Sequence, residues 1–432
     1  MAHFAVIAPP LTGHFKPLAA LAHTLKARGH RVTFVHHAGA APLAASLGVE
    51  FAALPEGGGG KLGLSGVGGT VTEMARLTHL LCRHAPDVLR HIGADAILAD
   101  QLEPAGGLLA EYLRLPFATI ACALPINREP AVPPPYVDWP FNRSEKGLKR
   151  NQGGYRVADL LMRRIGSTIR REALNFGLRP RRLLEDCFSP TLQLAQAVPG
   201  IDFPRTELPP SFHYLGPFRT PSADAFELPY QSDTRPLVYC SFGTLQGSRI
   251  RLFERVAAAC QRLDLRLVLT HCGRLTPEQV ALLPGDPLVR DFLPQEAVLK
   301  SADLVVTHAG FNTVMETLTE GLPMVALPLA FDQPAVAARI ARAGVGEVVM
   351  PRQASAGRLS HAIRKVMRMT RYRDSAREVQ REIGGAGGVS RAADLIETTL
   401  LRRASSPAPP AAATRARAAP GDARGDSRSG SR

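Results

Sequence analysis

The sequence predicts an α/β protein built from two doubly wound units whose parallel sheets face one another across a cleft. Three observations predict it. Strand, loop, helix and strand follow one another within His3–His36, and the same order restarts at Leu237 and runs to Thr270. Between them lies a stretch, Gly216–Pro236, punctuated by Pro217, Pro221, Pro229 and Pro236 and poor in periodic apolar residues, which reads as a linker. A unit of this kind holds its ligand at the carboxyl ends of its strands.

His3–Ala8 is apolar enough for a buried strand, and Pro9–His14 reads as a loop containing Gly13. Lys16–Arg28 sets Leu18, Leu21, Ala22 and Leu25 on one helical face before Gly29 ends it, and Arg31–His36 is the next strand. His14 therefore lies between the first strand and the first helix, where an imidazole that titrates near neutrality can take a proton from an attacking alcohol. Ala96–Ala99 reads as a strand that delivers Asp100 to the same sheet edge. A carboxylate there would fix the ring tautomer and support its charge. Taken alone, the spacing favours plainer roles: His14 lining a loop and Asp100 capping a helix that begins near Pro104.

Gly57–Gly69 is glycine-rich, yet it follows no clear strand and opens no helix with Lys-Ser/Thr. It reads as a mobile loop rather than a phosphate loop. Leu115–Leu124 is a strand, and the sequence PINREPAVPPPYVDWPFN after it is too proline-dense for regular structure and suits a pocket wall. Tyr155–Arg171 has Val157, Leu161, Ile165 and Ile169 on one helical face and Arg156, Arg163, Arg164, Arg170 and Arg171 elsewhere. We read it as an ordinary amphipathic helix, apolar face on its own domain and arginines in water. The alternative lays this basic helix against an anionic lipid surface.

In the second unit Leu237–Cys240 is a strand and SFGTLQGS a loop carrying Ser241, Gly243 and Thr244. Ile250–Leu263 is a helix with Phe253, Ala257 and Cys260 aligned, and Leu265–Thr270 is a strand. The densest chemistry lies in Phe292–Gln333. Ala302–Thr307 is a strand, His308–Thr313 a turn, and Val314–Glu320 a helix ended by Gly321 and Pro323. Met324–Leu329 is a further strand, followed at once by Phe331, Asp332 and Gln333. A turn feeding a helix N-terminus offers unpaired N–H groups and a positive dipole end, so His308, Gly310, Asn312 and Thr313 suit a nucleotide diphosphate. Glu316, one turn on, can reach sugar hydroxyls, and Phe292 offers a flat face to a base. Spacing leaves a second reading open, in which the turn is scaffold, His308 a satisfied structural residue and Glu316 solvated. Leu359–Met369 and Ala392–Leu401 read as closing helices.

The 432 residues and 45% hydrophobic content suit two or three globular domains, with no apolar run long enough to span a membrane. The first residues, MAHFAVIAPP, lack the positive start and the apolar length of a signal peptide, so a cytoplasmic protein is expected. The six cysteines are scattered without metal-ligand or disulfide spacing and read as reduced packing residues. The formal net charge of +14 raises nucleic acid or an anionic membrane as partner. Part of that charge sits in an Ala/Pro/Arg/Ser tail, 401–432, whose composition predicts disorder, and nucleic acid is not the expected partner.

The stretch THAGFNT, with Phe292 before it and Asp332 and Gln333 after it, resembles the donor-binding box of the UDP-glycosyltransferases. Carried over, the resemblance implies that Phe292 faces the uracil with Gln295 nearby, and that Glu316 holds the ribose. His308, Gly310, Asn312 and Thr313 would hold the diphosphate, with Ser241, Gly243 and Thr244 approaching it. Asp332 and Gln333 would hold the hydroxyls of the transferred sugar. His14 would be the base and Asp100 its activating carboxylate. Plant members carry Trp where this chain has Phe292 and Phe311, a smaller ring for stacking on the base.

The resemblance covers residues 1–400 and implies the GT-B fold of two Rossmann-like domains. The expected boundaries are 1–215 for an acceptor domain, 216–236 for the linker, 237–385 for a nucleotide-sugar domain and 386–400 for a helix returning to the first. The strings ADQLEPAG, CALPINREP, FGTLQG and LPLAFDQP look closest to the bacterial zeaxanthin glucosyltransferases. That branch implies inverting transfer from UDP-glucose, a co-substrate needing no metal, to a lipophilic carotenoid acceptor, with peripheral contact at the inner face of the membrane. Other readings are transfer to a polyketide or other lipophilic alcohol, a UDP-sugar epimerase, and a non-catalytic protein that binds a sugar nucleotide or a carotenoid.

Overall fold

A computed structural model describes residues 1–55, 66–219, 228 and 233–401. The first sheet holds seven strands: β1 (His3–Ile7), β2 (Arg31–His36), β3 (Glu50–Ala53), β4 (Ala96–Asp100), β5 (Phe117–Ala121), β6 (Gln193–Ala195) and β7 (Phe212–Tyr214). Their spatial order is β3-β2-β1-β4-β5-β6-β7, and every pairing is parallel. The second sheet holds β8 (Leu237–Ser241), β9 (Arg266–Thr270), β10 (Leu288–Arg290), β11 (Leu304–Thr307), β12 (Met324–Ala326) and β13 (Gly346–Val348). Its order is β10-β9-β8-β11-β12-β13, again parallel throughout. The central strands β1, β4, β5 and β8 are buried along their whole length, as parallel strands covered on both faces must be. Strand order reverses between β1 and β4 and between β8 and β11, which fixes one crevice in each sheet.

Several elements differ from the sequence reading. The first helix runs Thr12–Ala27, so His14 sits in its first turn rather than in a loop. Gly66–Gly69 do not form a loop but open a helix that continues to Ile92, while 57–65 lie outside the described residues. A run of glycines conceals a helix start because propensity alone argues against it. Tyr155–Arg171 is not one helix but parts of two, Glu145–Leu161 and Arg163–Asn175, meeting at Met162. The SFGTLQGS loop contains a short helix, Gly243–Gln246. The helix after β11 begins at Phe311, which puts Asn312 and Thr313 inside its first turn. Residues 402–432, expected to be disordered, lie outside the described residues, as does much of the 216–236 linker.

Apolar burial joins the two sheets. A single cluster takes Leu124, Val198 and Ile201 from the first and Val336, Ala337 and Ile340 from the second. A buried ion network crosses the same boundary. Arg339, on the helix Gln333–Ala343, donates from Nε to Asp202 Oδ1 at 2.8 Å, and its guanidinium lies 4.1 Å from the centroid of the Phe203 ring. Asp202 Oδ2 also accepts from Arg205 Nε at 2.9 Å and from the Tyr214 hydroxyl at 2.8 Å. Burial opposes the charge on Asp202, but Arg339 and Arg205 outweigh it and pull the carboxyl down to about 2.

The chain then returns. After the helix Thr370–Ala386, Gly387 takes a left-handed φ of 90° and the helix Gly388–Ile396 turns back. Its Ala392, Ala393 and Ile396 pack with Leu18 and Leu21 of the first helix. Arg28 Nη1 bonds Asp394 and Glu397 at 2.8 and 2.9 Å, tying the last helix to the first. The five cysteines other than Cys272 are buried, and all six are free thiols. No helix of the described residues is long and apolar enough to cross a membrane.

Candidate active site

The two crevices meet. In the first, β1 ends at Ile7 and a short loop leads to His14 in the first turn of the next helix, while β4 ends on Asp100, and the strands are neighbours in register, Ile7 opposite Ala99. His14 Nδ1 lies 2.8 Å from Asp100 Oδ2, with the carboxylate wholly buried. Asp100 does not cap the helix near Pro104, which starts without a side-chain cap; its Oδ1 accepts instead from the Leu102 N–H at 2.8 Å and holds the turn that follows β4. The bond fixes His14 with its proton on Nδ1 and leaves Nε2 as the basic nitrogen, which has no hydrogen-bond partner among the described residues. Burial works against a charged ring, yet Asp100, by charge and hydrogen bond, and Asp332 across the cleft outweigh it and hold the His14 pKa above 6.5.

The second crevice carries another histidine in the corresponding place. Ser241 ends β8, Thr307 ends β11, and the two are in register. His308 follows, and burial pushes its pKa down to about 4 against the opposing influence of the Ser241 backbone. Its ring lies between two glycines. A Cβ on Gly310 would collide with Nε2, and one on Gly243 would stand 2.9 Å from Cε1. Gly243 is doubly required, since its φ is +67°. Two side-chain-bearing residues here also take left-handed backbone, Ala309 at φ 62° and Phe331 at φ 57°, on either side of the crevice. Strain of this kind persists where surrounding structure dictates it, often at ligand sites. The helix Phe311–Thr319 starts at Gly310 without a side-chain cap, so its first N–H groups stay open to an anion.

The remaining expected donor residues are close by, several with partners in this ligand-free arrangement. Glu316 is buried and contacts Gln295 Nε2 and, at 3.3 Å, Lys16 Nζ from the first domain. Gln295 also accepts from the Tyr239 hydroxyl at 3.1 Å. Phe292 is 68% exposed, a free aromatic face just upstream. Thr244 is exposed and Thr313 half-buried, while Ser241 is buried and its Oγ accepts from Gly243 N at 3.4 Å. Gln333 uses its side-chain oxygen on the backbone N–H groups of Leu329 and Ala330, at 2.8 and 2.7 Å, leaving only its amide nitrogen for a ligand. Burial raises the Asp332 carboxyl, opposed by its own backbone N–H, by facing His14 and by the backbone of Leu124.

Some residues the sequence did not single out complete the site. Asn312 Nδ2 donates to the carbonyl of Gly13 at 2.6 Å, and its Oδ1 accepts from Gln196 Nε2 at 2.5 Å. The Gly13 carbonyl is available because the residue four later is Pro17, which has no N–H to close the helical bond. Gln101 holds the proline-dense wall, donating to the Leu124 carbonyl and accepting from Ile126 N. Glu103, buried three residues beyond Asp100, accepts from Thr78 at 2.7 Å, and burial pushes its carboxyl up to about 7. A polar residue at a strand end was the available signal for Gln196. Glu103 stood within the ADQLEPAG string, but nothing in that string assigned it a role.

A carboxylate-bound imidazole at one crevice, an open helix N-terminus beneath the other, and a joint between them suit group transfer from a nucleotide diphosphate. The family model described as UDP-glucoronosyl and UDP-glucosyl transferase matches residues 78–381. The chain belongs to this glycosyltransferase family. A zeaxanthin glucosyltransferase of Pantoea ananas is 39% identical to it over 421 residues, covering 93% of this chain and 96% of that protein. One of Pseudescherichia vulneris is 40% identical over 416 residues, covering 93% and 98%. Among solved structures, the calicheamicin glycosyltransferase CalG4 superposes with a TM-score of 0.75 at 22% identity over 94% of this chain and all of its own. The kitacinnamycin glycosyltransferase gives 0.74 at 22% identity over 92% and 99%. These superpositions establish the GT-B fold of this glycosyltransferase.

Proposed function

We propose that this glycosyltransferase moves glucose from UDP-glucose to a hydroxyl of zeaxanthin with inversion at the anomeric carbon. The observation that carries the chemistry is the His14–Asp100 bond at 2.8 Å, with Nε2 left free on the cleft between the two crevices. Nε2 takes the hydroxyl proton as the acceptor oxygen bonds to the anomeric carbon, and the bond from that carbon to the diphosphate breaks on the opposite face. Asp100 stabilises the imidazolium, which returns its proton to solvent after UDP departs.

Neutral His308, Ser241, Gly243, Thr244, Gly310, Asn312, Thr313 and the helix start receive the diphosphate, so its charge is met by hydrogen bonds and dipoles. Glu316 takes the ribose, Phe292 and Gln295 the uracil, and Asp332 with the Gln333 amide the glucose hydroxyls. Enzymes of this family need no metal, and the sugar nucleotide is a co-substrate. The acceptor class rests on relatives named as zeaxanthin glucosyltransferases at about 40% identity along almost the whole chain. We infer from a water-soluble donor and a lipophilic acceptor that the enzyme works in the cytoplasm at the inner face of the membrane.

The test is conversion of zeaxanthin in detergent by the full chain with UDP-glucose and no added metal, followed by mass spectrometry. A gain of one or two hexoses is expected. Release of UDP with other lipophilic alcohols but not with zeaxanthin would keep the transferase and overturn the carotenoid.

A further inference from the structure

The helix pair Glu145–Leu161 and Arg163–Asn175 buries only half of the apolar stripe that the sequence shows. Ile165 and Ile169 are fully buried in the first domain. Val157, Leu160 and Leu161 are 52%, 66% and 50% exposed. They stand at i, i+3 and i+4, so they share one face at the corner where the helices meet. An isolated exposed leucine is ordinary, but three on one face are a patch.

The arginines around the patch form no ion pair among the described residues. Arg156, Arg163 and Arg164 are exposed beside it. Arg164 bonds Thr72 Oγ1 at 2.9 Å, and neither Arg156 nor Arg163 has an ion pair among the described residues. The one carboxylate within the patch, Asp159, is engaged by Arg128 at 2.6 Å, and apolar side chains flanked by arginines without ion pairs complement a surface with an anionic headgroup layer over hydrocarbon.

The corner also connects with the site. Leu160, Leu161 and Arg163 line a cavity of about 430 Å³ together with Gly68, Val71 and Thr72, at the start of the helix Gly66–Ile92. Some 9 Å further along that helix, at its rise of 1.5 Å per residue, Thr78 bonds Glu103 beside Asp100. One helix therefore runs from the exposed corner to the neighbourhood of the base.

We propose that the Val157, Leu160 and Leu161 corner, with Arg156, Arg163 and Arg164, docks this enzyme on an anionic phospholipid bilayer, from which an apolar acceptor enters along the cavity. The docking stands on the surface itself, and the entry of acceptor rests on the function proposed above. Val157, Leu160 and Leu161 dip into the headgroup boundary and the arginines pair with lipid phosphates.

The experiment is flotation of the full chain with vesicles of phosphatidylglycerol and phosphatidylcholine, against vesicles of phosphatidylcholine alone. The wild type floats with the anionic vesicles only. L160S/L161S loses binding at least tenfold, and R156Q/R163Q/R164Q loses about fivefold for each charge removed. Both variants keep the wild-type melting temperature and UDP affinity, and both keep their turnover of zeaxanthin in detergent while losing it in vesicles. Unchanged flotation of both variants would place the contact elsewhere on this basic chain and overturn the proposal, as would a wild type that stays at the bottom of the gradient. Flotation lost in the variants, without glucosylation of zeaxanthin in any medium, would support the docking surface and overturn the acceptor instead.

Discussion

The two crevices are built alike and charged differently. Each lies where strand order reverses, and each receives a histidine just after a central strand, His14 after β1 and His308 after β11. Both rings are about nine-tenths buried, so solvent exposure does not separate them. Counter-charge does. Asp100 and Asp332 hold His14 above 6.5, while His308 has the Ser241 backbone for a neighbour and falls to about 4. The same topology thus gives one ring that a carboxylate helps to hold a proton and one that burial keeps neutral, which suits the proposed roles of base and diphosphate ligand. What a histidine does here is decided by carboxylates brought in from other strands, not by its place in the fold.

Removing each ring in turn is the strongest way to break that comparison. His14→Ala is expected to lower kcat by about 10³-fold with UDP affinity unchanged, read by initial rates and calorimetry. Equal losses in rate and in UDP affinity would mean that both histidines serve the donor. Gly310→Ala attacks the other ring, since its Cβ would meet His308 Nε2 and the ring must move. UDP affinity should fall tenfold or more while the pH dependence set by His14 stays in place. The two variants together separate base from cradle.

The charge argument itself is sharpened by pH. His14 is basic only when neutral, and its pKa in the free enzyme is raised, so kcat/KM rises with pH through a limb above 6.5. Asp100→Asn removes the largest raising influence while burial, which lowers the pKa, remains. The limb must therefore move to lower pH as maximal activity drops. A limb that moved upward, or not at all, would show that Asp100 does not set the charge state of His14.

Much of this arrangement was legible from local pattern. Apolar strands ending in polar residues exposed His14, Asp100, His308 and Asp332, because in a parallel sheet the strand end fixes position at the crevice. The linking parts were not legible. Asp202 and Arg339 stand 137 residues apart, and no local pattern relates them. The exposure of Leu160 depends on Met162 dividing one periodic stripe between two helices, which periodicity cannot register. The charge of His308 was equally hidden, since the THAGFNT string looks the same whether its ring is solvated or enclosed by Gly243 and Gly310.

The smallest expected effect tests whether the crevices cooperate. Pro17 leaves the Gly13 carbonyl unpaired within the first helix, and Asn312 Nδ2 takes it from the opposite domain at 2.6 Å. Pro17→Ala supplies an N–H that would close the helical bond to Gly13. A carbonyl oxygen has two lone pairs, so Asn312 is weakened in its hold rather than released. Two measured quantities should rise together: the melting temperature, because an interior proline is removed from a helix, and the KM for UDP-glucose, two- to threefold, because the donor turn is less firmly held against the first helix. The kcat should stay within about twofold, since His14 and Asp100 keep their bond. A higher melting temperature with an unchanged KM would show that the first helix gains its hydrogen bond without loosening the donor turn, so that the Asn312–Gly13 contact does not couple the two crevices. The two histidines would then act as independent halves, although the apolar cluster, the Asp202–Arg339 pair and the Gln196–Asn312 and Lys16–Glu316 bonds still join the elements around them.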